Sequence, residues 1–187
     1  AILQMDGDNM GKWLKGEFNP HIKSTLNEKV KDALINFTEE NERKKLEKIL
    51  CSAHPTSPSI HQIFSRKLSQ SALEEVVKIV EEEHYGKLIY IGGDDVLALL
   101  PPEEVLKCAY DLQERFKNVL SKKASMSAGI LIVYHKYPLY LALKKVNEAE
   151  KRAKNRYSRN SFCLIFKTHS GGERECGGHW ELIEFFE

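Results

Sequence analysis

The sequence predicts an α+β fold of the split βαββαβ, ferredoxin-like kind with a helical insertion, and three observations carry that prediction. Short runs of β-formers alternate with long stretches of helical periodicity. Two of the runs lie within 87–101 and flank Gly92-Gly93-Asp94-Asp95, the spacing of a strand, a tight turn and a second strand. Residues 17–59 interrupt the alternation with a Lys- and Glu-rich stretch of sparse apolar positions, which reads as an outer insertion. The 187 residues therefore read as one domain, with a helical or loop insertion at 17–59 and a C-terminal extension at 170–187.

Taken in order, Ile2 to Met5 reads as a short buried strand running straight into Asp6-Gly7-Asp8-Asn9-Met10-Gly11. Small and polar residues then open a helix near Asn9. In the insertion, Leu26, Val30, Leu34, Phe37, Leu46, Ile49 and Leu50 mark one or two amphipathic helices with a solvated charged face. Two prolines make 54–59 a loop, and Ser59 is expected to cap a helix that starts near Ile60. Ile63, Leu68, Leu73, Val76, Val77 and Val80 carry that helix to about Glu83, and Gly86 stops it. After the hairpin, Pro101-Pro102-Glu103-Glu104 opens a second long helix, buried along Val105, Leu106, Ala109, Leu112, Phe116 and Leu120. Residues 124–134 form a strand with small residues in its first half. A third helix is expected to bury Leu139, Leu143, Val146, Ala149 and Ala153, and it ends in the basic run 151–160. Residues 161–167 make a last core strand. A Gly-rich loop follows, and 180–186 is expected to add an edge strand or to pack on a neighbour.

Composition narrows the function classes. Hydrophobic residues at 42% supply a sizeable core, while a net charge of +1 gives no bulk argument for nucleic-acid binding. Any positive patch must be local. No apolar run approaches the ~20 residues that span a bilayer, and no signal peptide is legible, so a cytoplasmic protein without membrane contact is expected. The chain starts in a strand without an initiator methionine and reads as a piece of a longer protein. Cys108 and Cys163 fall in apolar-periodic segments, as buried thiols do. Cys51 with His54, and Cys176 with His179, have spacings that would hold zinc if two half-sites met.

In a sheet of this topology the first strand lies beside the hairpin, which brings Asp6 close to Asp94 and Asp95. Adjacent carboxylates repel unless a cation sits among them. Asp6, Asp94 and Asp95, with the carbonyl of Gly7, are therefore the candidate ligands of one or two Mg²⁺ (or Mn²⁺) ions. Gly92 and Gly93 leave room for a ligand against the main chain. Gly7, Asp8, Asn9, Met10 and Gly11, at a strand end and a helix start, offer a carboxylate to a metal and N–H groups to a nucleotide phosphate. Lys154 and Arg159 supply positive charge for a polyphosphate. Each feature has a plainer reading: a solvated acidic turn, a helix cap at Asp8 or Asn9, bases gathered at a helix C-terminus. Two acidic signals converging on one place favour the metal–nucleotide reading. Phosphoryl transfer needs positioning and charge more than a nucleophilic side chain, and no Ser-His-Asp or Cys-His set competes. His61 and His135 read as structural.

Residues 6–13, 54–61 and 92–98, together with 129–138, 148–154 and Ser170-Gly171-Gly172-Glu173, resemble the palm domain of the large polymerase/cyclase-like subunit of type III CRISPR effector complexes, closest to the Cmr branch. The resemblance covers nearly the whole chain. It implies a domain that binds ATP with Mg²⁺ and makes cyclic oligoadenylate when target RNA is recognised. It implies Asp94 and Asp95 as catalytic metal ligands, with Asp6 as their partner from the first strand. The implied partners are the subunit's other palm domain and the complex subunits with crRNA and target RNA. Diguanylate cyclases share the layout less well. Asp95-Val96 stands where they have Glu-Phe, and Glu83-His84-Tyr85-Gly86 stands in place of their Arg-x-x-Asp. Ala153-Lys154 and Arg159-Asn160 still resemble their phosphate-binding helix end. A nucleotidyltransferase is the first expectation; a nucleotide-binding or scaffold module without turnover of its own is the second.

Overall fold

The structure, a computed structural model, describes residues 1–19, 21–54 and 56–185. Pro55, Phe186 and the side chains of Leu73 and Phe185, which the sequence assigned to a loop, a tail and a helix stripe, lie outside the described residues. The chain divides into two compact units: Asn9–Ile63, and Ala1–Asp8 with the residues from Phe64 onward.

The Asn9–Ile63 unit is helical, with α1 (Met10–Leu14), α2 (Ile22–Thr25), α3 (Glu28–Phe37) and α4 (Glu40–Leu50). The Asn27 side chain caps α3 by accepting from Lys29 N–H. Leu50 is buried, whereas Val30, Leu34, Ile35 and Ile49 stay exposed and Phe37 is 91% exposed. The next helix, α5 (Pro58–Ser71), begins two residues before the expected start. Ser57, not Ser59, supplies the cap: its hydroxyl accepts from Ile60 N–H at 3.3 Å, and Pro58 takes the first helical position.

Beyond Ser71 the helix does not keep its α spacing. It continues as π-helical turns at Ala72–Val76 and Lys78–Glu83. His84 N–H donates to Ile79 C=O at 3.1 Å, a five-residue step. In the π-helical segment Ile79 joins Val80 in the core, and Ile63, in the regular α5, is 59% exposed.

The second unit is built on β1 (Ile2–Gly7), β2 (Lys87–Ile91), β3 (Val96–Leu99), β4 (Met126–Ile132), β5 (Ser161–Lys167) and β6 (Glu173–His179). They form one sheet in the order β2-β3-β1-β4-β5-β6. The first four strands give the expected split βαββαβ order, each pair antiparallel. β5 then joins β4 in parallel, and β6 closes antiparallel to β5. A parallel neighbour needs a long crossover, which α7 (Leu139–Arg156) provides; α6 (Val105–Leu120) makes the earlier connection from β3 to β4.

Leu68 and Val76, from the helix before the hairpin, line one cavity with Leu112 and Phe116 of α6, so the split βαββαβ unit keeps its helices on one face, and α7 covers the other. Leu131 and Ile2 pack with Ala142, Val146 and Ala149 of α7. Met126 lies with Leu112 and Phe116 of α6, and alternation along a strand sends 126 and 131 to opposite sides. β4 is buried throughout 126–131 for that reason. Leu139 and Leu143, expected in the stripe of α7, are exposed; Ala142, Val146, Ala149 and Ala153 face inward instead. The cause is close approach. A Cβ on Gly129 would stand 2.4 Å from both Glu150 N and Val146 O, so strand and helix touch backbone to backbone and only small residues fit.

The C-terminal stretch also departs from expectation. The edge strand is the Gly-containing Glu173–His179, and Trp180–Phe185 forms a 3₁₀ turn. Trp180 is buried, its indole N–H donating to Met126 C=O at 2.8 Å. Among the described residues no helix is long and apolar enough to cross a membrane.

Candidate metal and nucleotide site

β1 pairs with β3 through Met5↔Val96, so Asp6 emerges beside the turn that leads into β3. Gly92 N–H donates to Asp95 C=O at 2.9 Å, which leaves Gly93 and Asp94 as the central pair of a two-residue hairpin. Gly93 has φ +84°, as the first central residue of a type II′ turn requires. That geometry accounts for the glycines preceding the acids. One carboxylate oxygen each from Asp6, Asp94 and Asp95 lie within 4.8 Å of one another. An all-oxygen set of this kind suits a hard divalent cation. Burial pushes the carboxyls of Asp94 and Asp95 above the ordinary range, and for Asp94 the neighbouring charge of Asp95 adds to it.

Asp6 and Asp95 open onto a cleft of about 380 Å³ on the α7 side of β2, β3 and β1. Gln4, Tyr90, Leu97, Asn147 and Glu150 also line it. Tyr90 reaches the cleft because the β2–β3 register shifts between Leu88 and Tyr90, so that Tyr90 rather than Ile89 stands opposite Leu97. No sequence signal marks that bulge. Gln4 was legible in principle, being two residues before Asp6 on the same strand face.

Lys154, near the end of α7, contacts a carboxylate oxygen of Asp6 and lies 2.8 Å from Glu150 Oε1. Glu150 escaped the sequence reading, although it precedes Lys154 by one helical turn. Burial pushes Glu150 up to about 7, with the charges of Asp8 and Asp95 adding, and pushes Lys154 down to about 8, with Arg159 adding. The contact between the two opposes both displacements by favouring the charged pair. Arg159 is exposed, in left-handed backbone at φ +64°.

Asp8 lies elsewhere. It is 2% exposed, and its carboxylate accepts from the hydroxyls of Ser125 and Ser127 at 2.7 and 2.8 Å and from Asn160 N–H at 2.9 Å. Gly7 ends β1 opposite Met126. Asn9, Met10 and Gly11 belong to the other unit, where Asn9 stands in left-handed backbone and makes no side-chain cap to the five-residue α1. Cys108 and Cys163 are buried thiols pushed up to about 12, which leaves them unreactive. Among the described residues neither Cys51–His54 nor Cys176–His179 joins a metal-sized cluster.

Residues 1–163 match the family described as Cas10/Cmr2, second palm domain. Over 192 residues the chain is 34% identical to the CRISPR system Cmr subunit Cmr2 of Pyrococcus furiosus, a match spanning 100% of this chain and 20% of that protein. It is 32% identical over 85 residues to the CRISPR system single-strand-specific deoxyribonuclease Cas10/Csm1 of Mycobacterium tuberculosis, covering 46% of this chain and 10% of that one. Among solved structures, a Csm1–Csm4 cassette in complex with cA4 aligns with a TM-score of 0.63 at 16% identity, over 98% of this chain and 23% of its counterpart. That last likeness is one of fold. The chain thus spans a fifth of the length of the Pyrococcus relative. On the family match and the identity to Cmr2 over its whole length, this chain belongs to the Cas10/Cmr2 family, as a second palm domain.

Proposed function

We propose that this domain is a metal-dependent nucleotidyltransferase that binds ATP with Mg²⁺ (or Mn²⁺) and, within the complete large subunit, makes cyclic oligoadenylate for an RNA-guided antiviral complex. The observation that carries this reading is the meeting of Asp6, Asp94 and Asp95 within 4.8 Å at the edge of a polar cleft. Solved relatives described in complex with one ATP and with cA4 support it. A divalent ion held by these residues supplies activation of a ribose hydroxyl and neutralisation of the leaving pyrophosphate.

The chain's own residues do the positioning. Asp6, Asp94 and Asp95, with the Gly7 carbonyl, hold the ion. Gly93 keeps the turn slim enough for phosphate to approach its backbone, whereas the space a side chain on Gly92 would take is filled by the Tyr90 ring, and Lys154 and Arg159 bind phosphate oxygens. Glu150 retains the Lys154 ammonium at the cleft when Asp6 is otherwise engaged. Tyr90 offers an aromatic face to a nucleoside, flanked by the amides of Gln4 and Asn147. On the sequence pattern alone, the N–H groups of Asn9, Met10 and Gly11 are proposed partners of nucleotide phosphate, and the partners proposed for the domain are the other palm domain and the complex subunits with crRNA and target RNA.

The one-fifth coverage of the Pyrococcus subunit favours a second reading for the isolated chain, that of a nucleotide-binding module without turnover. Two experiments separate them. ATP with Mn²⁺ should raise the melting temperature of the chain, and Asp94→Asn with Asp95→Asn should remove that shift. Incubating ATP with the complete subunit, its partners and target RNA should yield oligoadenylate; nucleotide binding without product leaves the module reading standing.

A further inference from the structure

Ser158, Arg159 and Asn160 have φ of +66°, +64° and +48°, three consecutive side-chain-bearing residues in left-handed backbone. Each is disfavoured by contact between Cβ and the main chain, so a run of three persists only where the surroundings enforce it. The enforcing contacts converge on Asn160. Its N–H donates to Asp8 Oδ2 at 2.9 Å, its side-chain carbonyl accepts from Gln113 Nε2 at 2.9 Å, and its C=O accepts from Trp180 N–H at 3.2 Å. Asp8 is itself fixed by Ser125 and Ser127 of the β4 edge, and its N–H donates to Ser125 C=O at 2.8 Å. Arg159 N–H reaches back to Ala153 C=O at 3.3 Å, which folds the turn onto the last turn of α7 beside Lys154. The outcome is an exposed guanidinium with no ion pair among the described residues, on a turn bonded to the residue that precedes Lys154.

We infer that Asp8, acting through the Asn160 N–H, is a positioning residue: it locks the 158–160 turn so that Arg159 is aimed, beside Lys154, at the phosphate chain of a nucleotide held at the Asp6–Asp94–Asp95 cluster. The sequence pattern offered Asp8 as a direct ligand contact. Its three donors leave it turned inward, two residues from Asp6, with a different task. The identity of the ligand rests on the proposed nucleotide function; the dependence of the turn on Asp8 does not.

The test uses the full chain. Asp8→Asn keeps the size and one acceptor oxygen but removes the charge that holds Asn160. ATP affinity, measured by titration in Mn²⁺, should fall about tenfold, the loss of one charge-assisted contact, while AMP affinity and Mn²⁺ affinity stay within about twofold. In an Arg159→Ala background the same substitution should cost nothing further. Ser127→Ala also unsatisfies Asp8 but leaves the Asn160 bond, and should preserve the ATP-to-AMP ratio. Should Asp8→Asn fail to fold, Asn160→Pro, which deletes the N–H that Asp8 holds, carries the same expectation. Additive losses with Arg159→Ala, or an equal change in the ratio with Ser127→Ala, would reduce Asp8 to a purely structural role and overturn the inference. A crystal structure of Asp8→Asn decides the geometric half independently: 158–160 should leave the left-handed region, and an intact turn overturns the inference even if the wild-type chain binds no ATP.

Discussion

Asp6 and Asp8 stand two residues apart at the end of β1, and their surroundings have almost nothing in common. Asp8 is sealed in, and three donors converge on its carboxylate. Asp6 shares its space with two further carboxylates, and Lys154 is the cation at its oxygens. A buried charge surrounded by fixed donors is stabilised where it is and becomes part of the framework. Like charges raised by partial burial at a cleft edge are held in a state that an arriving cation relieves. The residue type is the same in both places; the donors delivered by β4 and the 158–160 turn make the difference.

Breaking the open cluster is expected to have the largest effect. Asp94→Asn with Asp95→Asn should lower Mn²⁺-dependent ATP affinity by at least about a hundredfold in isothermal titration. The urea midpoint should hold or rise, because a like-charge contact is relieved. Retained affinity would detach the hairpin from metal binding.

Breaking the closed cluster should do the reverse. Asp8→Ala leaves the Ser125, Ser127 and Asn160 donors without their acceptor and should cost about 2–3 kcal/mol in urea denaturation. Mn²⁺ affinity should be kept. A loss of metal affinity equal to the loss of stability would mean that the two clusters are not separable.

Gly129→Ala acts on the packing of α7 against β4. Its Cβ would press on the backbone of Val146 and Glu150, costing about 1–3 kcal/mol and displacing the Glu150–Lys154 pair. Reduced stability together with weaker ATP binding is expected; an unchanged urea curve would contradict the close approach of α7.

The smallest effect is a pH slope. Glu150, raised from 4.5 to about 7, binds more protons in the folded than in the unfolded state across that interval. Its contribution is therefore full below pH 4.5 and is lost as pH rises to about 7. Lys154, lowered from 10.5 to about 8, acts in the opposite sense, so stability recovers between about pH 8 and 10.5. Glu150→Gln should flatten the first limb of a melting-temperature profile and leave the second. A profile unchanged by the substitution would show that Glu150 ionises freely in the fold.

Much of this was legible in the chain. Alternation of β-formers around Gly92-Gly93-Asp94-Asp95 announces the hairpin, and the βαββαβ order by itself brings Asp6 to it, because β1 lies beside β3 in that topology. Lys154 was legible as charge at a helix end. Glu150 and Tyr90 were not. Glu150 looks like one more surface acid until Gly129 draws α7 down onto β4, and Tyr90 looks like an edge-strand residue until a bulge turns it. The inner face of α7 departs from expectation for the same reason: periodicity shows that a helix has an inner face, but the depth of the contact decides whether leucine or alanine fills it.

What the sequence determined by itself, then, was local and additive: which segments are strands or helices, where a glycine permits a II′ turn, which acids end a strand. The tertiary structure alone decided which carboxylate is exposed and which is satisfied. That distinction depends on Ser125, Ser127 and Asn160, which lie more than a hundred residues from Asp8 in the chain and within hydrogen-bonding distance of it in space. Desolvation and hydrogen bonding act over a few ångströms whatever the separation along the chain, so the two aspartates part ways only once the sheet has closed.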